Sequence, residues 1–224
     1  MDRNFEYLVK KAGRPAKAEP FLPEEATRLR GKLPDGLLAM WTECGIGSWG
    51  HGRFQFCRPD RYGGVVTELL REDPEFSPEW THVVGFSAFG TLLLWHEQWQ
   101  VMQVDLVYLR ARASKYRDGW TPSAPDVAIV SALTTAARRD AFELYEDAPG
   151  TPPMFERCAE RYGELELGEC YGLFPALALG GAAHIANIRR VSALEHFAIL
   201  AGLGRTTLMR YEGTRAIAVR ELGP

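Results

Sequence analysis

Apolar residues between positions 82 and 107 fall into short runs rather than recurring at helical spacing. Met102, Val104 and Leu106 occupy one face of Val101 to Val107, while Val101, Gln103, Asp105 and Val107 occupy the other. This period of two predicts a strand with the methionine face toward a core. Further strands are expected over Arg53 to Cys57, His82 to Phe86 and Thr91 to Trp95, with His96-Glu97-Gln98 as a hairpin loop.

Helical patterns flank these strands. Pro23-Glu24-Glu25 opens a short helix, and Leu33-Pro34-Asp35 opens another carrying Leu37, Leu38 and Trp41. Arg61 to Arg71 and Thr134 to Asp147 also read as helices, the second closed by Ala148-Pro149-Gly150. Met154, Cys158 and Tyr162 share a helical face begun by Thr151-Pro152-Pro153 and stopped by Gly163. Ser192 and Glu195 spell a capping box ahead of an amphipathic helix with Leu194, Phe197, Ile199, Leu200 and Leu203. Glu43 to Gly52 reads as a Gly-rich connection, Tyr116 to Asp126 as a linker, and the charged stretch before Phe21 as a loosely packed arm. Two weak strand patterns, Thr206 to Tyr211 and Arg215 to Arg220, close the series.

The expected class is α+β: N-terminal helices with a small, mostly antiparallel sheet, followed by a mainly helical C-terminal part. The expected divisions are an arm over 1–20, a domain over 21–118, a linker and connecting helix over 119–150, a second domain over 151–204, and a tail, read as a hairpin, over 205–224. One segment fits no element. In YGLFPALALGG, Tyr171 to Gly181, Pro175 interrupts any helix and Gly180-Gly181 permits a sharp turn, yet the run is too apolar for an ordinary loop. It reads as a buried structural segment, so Phe174→Ala or Leu177→Ala is expected to cost about 2–5 kcal/mol.

Composition adds limits. A chain of 224 residues with ordinary apolar content suits one large domain or two small ones. Met1 to Lys17 is charge-rich and lacks the pattern of a secretory or transit signal, and no apolar run is long enough to span a bilayer, so a soluble cytoplasmic protein is expected. Charge is unevenly spread. From Asp140 to Glu169 nine acids face only Arg157 and Arg161, whereas from His184 onward six arginines outnumber three glutamates. Such an acidic stretch disfavours nucleic acid as direct ligand and suits a basic partner, or else forms two solvated helix faces.

Candidate chemistry is sparse. Gly45, Gly47 and Gly50 spell G-x-G-x-x-G, but they follow a helix pattern and precede a strand, the reverse of a dinucleotide-binding turn. Cys44, Cys57, Cys158 and Cys170 show no C-x-x-C pair, and His51, His82, His96, His184 and His196 show no H-x-x-x-H spacing, so no metal or cofactor is expected. Ser87 in GFSAFG lacks the second glycine of a nucleophile elbow. Cys170 and His184 remain a possible nucleophile and base, without any surrounding signature. If ELELGE is a strand, alternation turns Leu165 and Leu167 inward and displays Glu164 and Glu166.

Two stretches resemble known families. MFERCAERYGELELGECYGLFPALALGGAAHIANIRRVSALEHFAILAGLG, from Met154 to Gly204, resembles the C-terminal domain of immunity proteins paired with type VI secretion DNase effectors. LPDGLLAMWTECGIGSWGHGRFQFCRP and VVGFSAFGTLLLW resemble the GAD-like domain that precedes it, SUKH-like in outline. The resemblance implies a stoichiometric inhibitor with no catalytic residue, whose partner is a cognate nuclease effector toxin. Candidate contact residues are Trp49, His51, Glu164, Glu166, Glu169, Tyr171 and Phe174, of which Trp49, Tyr171 and Phe174 suit a core better than an interface. A general intracellular binding module of SUKH-like type, or a hydrolase using Cys170 and His184, are the alternatives.

Overall fold

The computed structural model describes residues 3–145, 151–213 and 215–223. Along the chain run α1 (Arg3–Ala12), β1 (Ala16–Glu19), α2 (Pro23–Leu29), α3 (Asp35–Cys44), β2 (Ile46–Trp49), β3 (Phe54–Phe56) and α4 (Gly63–Leu70). Then come β4 (Thr81–Ser87), β5 (Thr91–His96), β6 (Gln100–Asp105), β7 (Arg110–Ala113) and α5 (Pro125–Ala136). The remainder is α6 (Met154–Tyr162), β8 (Glu169–Leu173), β9 (Ile188–Ser192), α7 (Ala193–Ala201), β10 (Thr207–Glu212) and β11 (Arg215–Glu221).

Nine strands form one sheet in the order β1-β2-β3-β4-β5-β6-β7-β10-β11, and β8 pairs with β9 separately. All neighbours in the large sheet are antiparallel except β7 and β10, where Thr207 lies opposite Arg110 and Leu208 opposite Ala111. The class is therefore α+β, but two parts of the expectation are corrected. The sheet is large rather than small, and the C-terminal part is not mainly helical. It contributes β8 and β9, and its last two strands extend the main sheet. The cause is non-local pairing: β10 finds its partner nearly a hundred positions back, and IRRVS in β9 carries two exposed arginines that hide its strand character.

Burial on both faces explains why the centre of the sheet is so apolar. Leu92 and Leu94 of β5 join α4 and α7 residues in one core, with Met102, Val104, Leu106 and Phe197. Leu93 and Trp95 turn the other way, into a core with Phe5, Leu8, Leu37, Trp41 and Leu133. Helix α1 thus belongs to the core, and the arm before Phe21 is not loosely packed. Gly36 makes room for it, since a Cβ there would lie 2.5 Å from the Phe5 ring.

Two further expectations shift. The Gly-rich connection contains β2, all four residues of which are buried. Gly47 permits its contact with β1, because a Cβ would meet the Ala16 carbonyl oxygen at 2.5 Å. Pro125 is the first residue of α5 rather than part of a linker, as proline's fixed φ suits a helix N-terminus. That helix stops at Ala136, so the helix expected from Thr134 is displaced toward the N-terminus. The part of that expectation over 146–150 lies outside the described residues.

Helix α7 begins after Ser192 as the capping pattern predicts, although the Ser192 side chain makes no cap hydrogen bond. YGLFPALALGG divides. Tyr171 and Leu173 are buried in a third core with Phe155, Cys158 and Ile188, whereas Phe174 is 44% and Leu179 64% exposed. Gly181 closes the turn against Pro175, where a Cβ would sit 1.9 Å from the carbonyl oxygen. The run is therefore not buried throughout: Ala176 is buried and Leu177 half-buried, but Phe174 and Leu179 face outward. Phe174→Ala is expected to cost about 1 kcal/mol or less in urea unfolding, since a half-exposed ring loses little on truncation. A loss above about 2 kcal/mol would restore the core reading.

Candidate functional site

The second and third cores meet along a seam where β3 of the main sheet touches the segment from Gly163 to Glu169. Strand β3 alternates Phe54 and Phe56 with polar Arg53, just before it, and Gln55. The aromatic pair fills the core under Trp49. The polar pair reaches across to the C-terminal part.

Arg53 is only 11% exposed and binds two carboxylates, donating to Glu143 at 3.0 Å and to Glu156 at 3.1 Å. Its guanidinium also lies 4.1 Å from the centre of the Phe155 ring. Gln55 is fully inside. Its amide nitrogen donates to the carbonyls of Glu166 (3.3 Å) and Glu169 (2.9 Å), and its oxygen accepts from the Gly168 N–H at 2.8 Å. Gly52, at φ 96°, lets the turn before β3 approach, because a Cβ would lie 2.8 Å from that of Leu165.

Over this contact sits a charged edge. A register shift in β1 between Ala16 and Glu19 breaks the regular ladder around Lys17. The Lys17 ammonium donates to the Leu165 carbonyl at 3.1 Å and to Glu166 at 2.8 Å, with Glu164 at 3.9 Å. His51, three-quarters exposed, places Nδ1 3.1 Å from the Glu164 carboxylate. Glu169 is more enclosed, accepting from the Glu166 N–H at 2.9 Å and pairing with Arg190 at 3.3 Å.

The expected contact residues therefore separate into two groups. His51, Glu164 and Glu166 come together at the surface, with Glu169 bracing them from below. Trp49 and Tyr171 are core. Trp49 donates its indole N–H to the Gly13 carbonyl at 3.0 Å, and the Tyr171 hydroxyl donates to the Gly163 carbonyl at 2.6 Å. Burial pushes the Tyr171 phenol upward, so it stays a donor. Phe174 lies on another part of the C-terminal region, its ring 5.2 Å from that of the buried His196.

Beside the edge runs a cavity of about 550 Å³, lined by Trp49, His51, Ala136, Arg139, Phe155 and Glu164 among others. Its floor is apolar and its rim carries both signs of charge. The surplus of acids read from the sequence is largely answered by cations from elsewhere. Asp140 pairs with Arg138, Glu156 with Arg53 and Arg139, and Glu164 and Glu166 with Lys17. Glu146 and Asp147 lie outside the described residues.

The cysteines offer little reactivity. Burial pushes the Cys158 thiol up to about 12 and the Cys170 thiol higher still. His184 uses Nδ1 to accept the Ala186 N–H at 3.2 Å. Among the described residues no group of three or more His, Cys, Asp or Glu side chains could hold a metal ion. Among them, too, no helix is long and apolar enough to cross a membrane.

Lys17, Arg53 and Gln55 sit in no motif that marks them as site residues. The available signal was the polar alternation of R-F-Q-F in an otherwise buried strand, which marks a face that meets polar groups rather than solvent.

Comparison with known proteins matches residues 3–108 to the family described as GAD-like domain. Residues 140–204 match the family described as T6SS immunity protein Tdi1, C-terminal. The crystal structure of Atu4351 from Agrobacterium tumefaciens is similar at a TM-score of 0.89 and 29% identity, over 100% of this chain and 99% of that one. No curated protein matches.

Proposed function

We propose, from the match of residues 3–108 to the GAD-like domain and of 140–204 to the C-terminal domain of the T6SS immunity protein Tdi1, that the chain is a type VI secretion immunity protein and neutralises a DNA-cleaving effector toxin. It does so in the cytoplasm, as a stoichiometric complex. The observation that supports a nuclease partner is the displayed edge of His51, Glu164 and Glu166 beside an apolar-floored cavity. Proteins that bind DNA carry positive surfaces where phosphates lie. An acidic edge meets such a surface with complementary charge, speeding encounter, while apolar neighbours hold the complex.

Inhibition of this kind asks for no reacting group. Lys17 shields the carboxylates until a basic side chain of the toxin competes for them. Coexpression with a nuclease effector encoded beside its gene tests the proposal: a one-to-one complex should co-purify and nuclease activity should be lost. No complex and undiminished DNA cleavage would overturn it.

Charge reversal locates the contact. Glu164→Lys with Glu166→Lys is expected to leave thermal unfolding nearly unchanged while slowing association with the effector about tenfold at low salt. The difference should shrink as salt is raised. Unchanged association rate and affinity would mean that the edge is only a solvated face.

A further inference from the structure

We propose that the GAD-like domain acts as the template for the toxin-facing loop of the C-terminal domain, with Gln55 as its positioning residue. This rests on the reading of Glu164 and Glu166 as contact residues, and adds which part of the molecule gives them their arrangement.

The segment from Gly163 to Gly168, between α6 and β8, has no helix or strand to hold it. Its backbone groups must find partners elsewhere, and an unheld loop would spread its carboxylates over many positions. Gln55 supplies three of those partners from one buried side chain, 1% exposed. An amide matches the task because it presents a donor and an acceptor together. Here the donor serves two carbonyls and the acceptor serves the N–H of Gly168, a residue at φ 82°. No apolar side chain satisfies both kinds of group. The turn at Gly52 brings Leu165 against the base of β3, and Lys17 binds the Leu165 carbonyl, so all three restraints come from the GAD-like domain. The C-terminal part holds the same loop through Tyr171 on the Gly163 carbonyl, Arg190 on the Glu164 carbonyl and Ala193 on the Gly168 carbonyl, and the GAD-like domain adds the buried restraint at Glu166 and Gly168. Preorganisation of this kind raises affinity by removing ordering cost at binding.

The test is a double-mutant cycle in the full chain, with the coexpressed effector as ligand. Gln55→Met keeps length and apolar volume while removing the amide. It is expected to weaken effector binding about tenfold, and in that background Glu166→Lys should have much less effect than in the parent. A purely structural role would leave the two effects additive. Exchange of the Gly168 amide hydrogen should quicken in Gln55→Met while the amides of β5 keep their protection. Gly168→Ala, strained at its positive φ but with nothing within 4 Å of the new Cβ, disturbs the same loop from outside the core. It should reproduce the coupling, which keeps the test open if Gln55→Met folds poorly.

Additive effects in both backgrounds, or unaltered exchange at Gly168, would overturn the template role. A parent protein that binds no effector would instead overturn the proposed function. Binding that Glu166→Lys weakens without coupling to position 55 or 168 rejects this inference alone.

Discussion

Replacing Asp73 by alanine is expected to lower unfolding stability by about 3–5 kcal/mol, read from urea denaturation followed by circular dichroism. The Asp73 carboxylate is wholly buried and accepts from both Arg220 nitrogens, at 2.6 and 2.9 Å. It also accepts the N–H groups of Glu75 (3.0 Å), Phe76 (2.8 Å) and Gly223 (3.0 Å). Alanine would leave the three N–H groups without this acceptor and the Arg220 guanidinium with Glu75, at 3.2 Å, and the Glu221 carbonyl, at 2.9 Å, as remaining acceptors. Since Arg220 lies in β11, the loss should fall on the attachment of the last hairpin. Burial alone would raise the Asp73 pKa, but the bonds from Arg220, Phe76 and Gly223 together hold it below the ordinary carboxylate value. The sign follows. A depressed folded pKa stabilises fully above the unfolded value, near 3.9, and that contribution disappears as pH falls through the folded one. The parent should therefore lose stability in acid more steeply than Asp73→Ala below about pH 4. A loss under about 1 kcal/mol would mean that the β7–β10 ladder holds the hairpin unaided.

Arg53→Met is expected to cost a comparable amount, about 3 kcal/mol or more, for a different reason. Glu143 is 3% exposed, and its carboxylate also accepts the Phe155 N–H at 3.0 Å, so it cannot swing out to water without breaking the start of α6. Removing Arg53 leaves that charge buried without its cation. The remedy is specific. Adding Glu143→Gln, which keeps the acceptor but removes the charge, should recover most of the loss, giving a coupling within the range of about 0.5–3 kcal/mol seen for contacting groups. Thermal melts of the two single variants and the double variant decide the matter. Additivity would mean that Arg53 contributes through its contact with Phe155 instead.

What local pattern reveals and what it hides can be followed residue by residue. Alternation at Met102, Val104 and Leu106 disclosed both a strand and its inner face, because that face is packed by elements close enough to impose a regular period. Start and stop signals disclosed α6 and α7 for the same reason: they act within a few residues. Strand β2 stayed hidden because its glycines serve a close neighbour, which looks like looseness in one dimension. The exposure of Phe174 and Leu179 was equally illegible, since apolarity states a preference for burial and not its fulfilment. At the seam, Glu164 and Glu166 are exposed as expected, although ELELGE is a loop and turn up to Gly168 rather than the strand that alternation supposes, and Leu167 is only half-buried. Their partners are not legible from the sequence pattern. Gln55 lies more than a hundred positions before the loop it holds, and Lys17 149 positions before Glu166. No window of sequence contains both ends of such a bond.

The parallel pairing of β10 with β7 bears on when the fold can be completed. Between Ala113 and Thr207 the chain leaves the main sheet, builds α5, α6, β8, β9 and α7, and returns to the strand it left. The Tdi1-type domain is thus held at both ends by one sheet. During translation its residues emerge before the strands that fasten their far end, and closing so long a loop carries an entropic cost that later contacts must offset. A ribosome stalled near residue 204 would have made every residue of both matched regions, yet the sheet would still lack two of its nine strands. Within that interval a cell holds the polypeptide without its finished scaffold. The lag between transcription and a finished fold should therefore be counted from completion of the hairpin, not from appearance of the loop before β8.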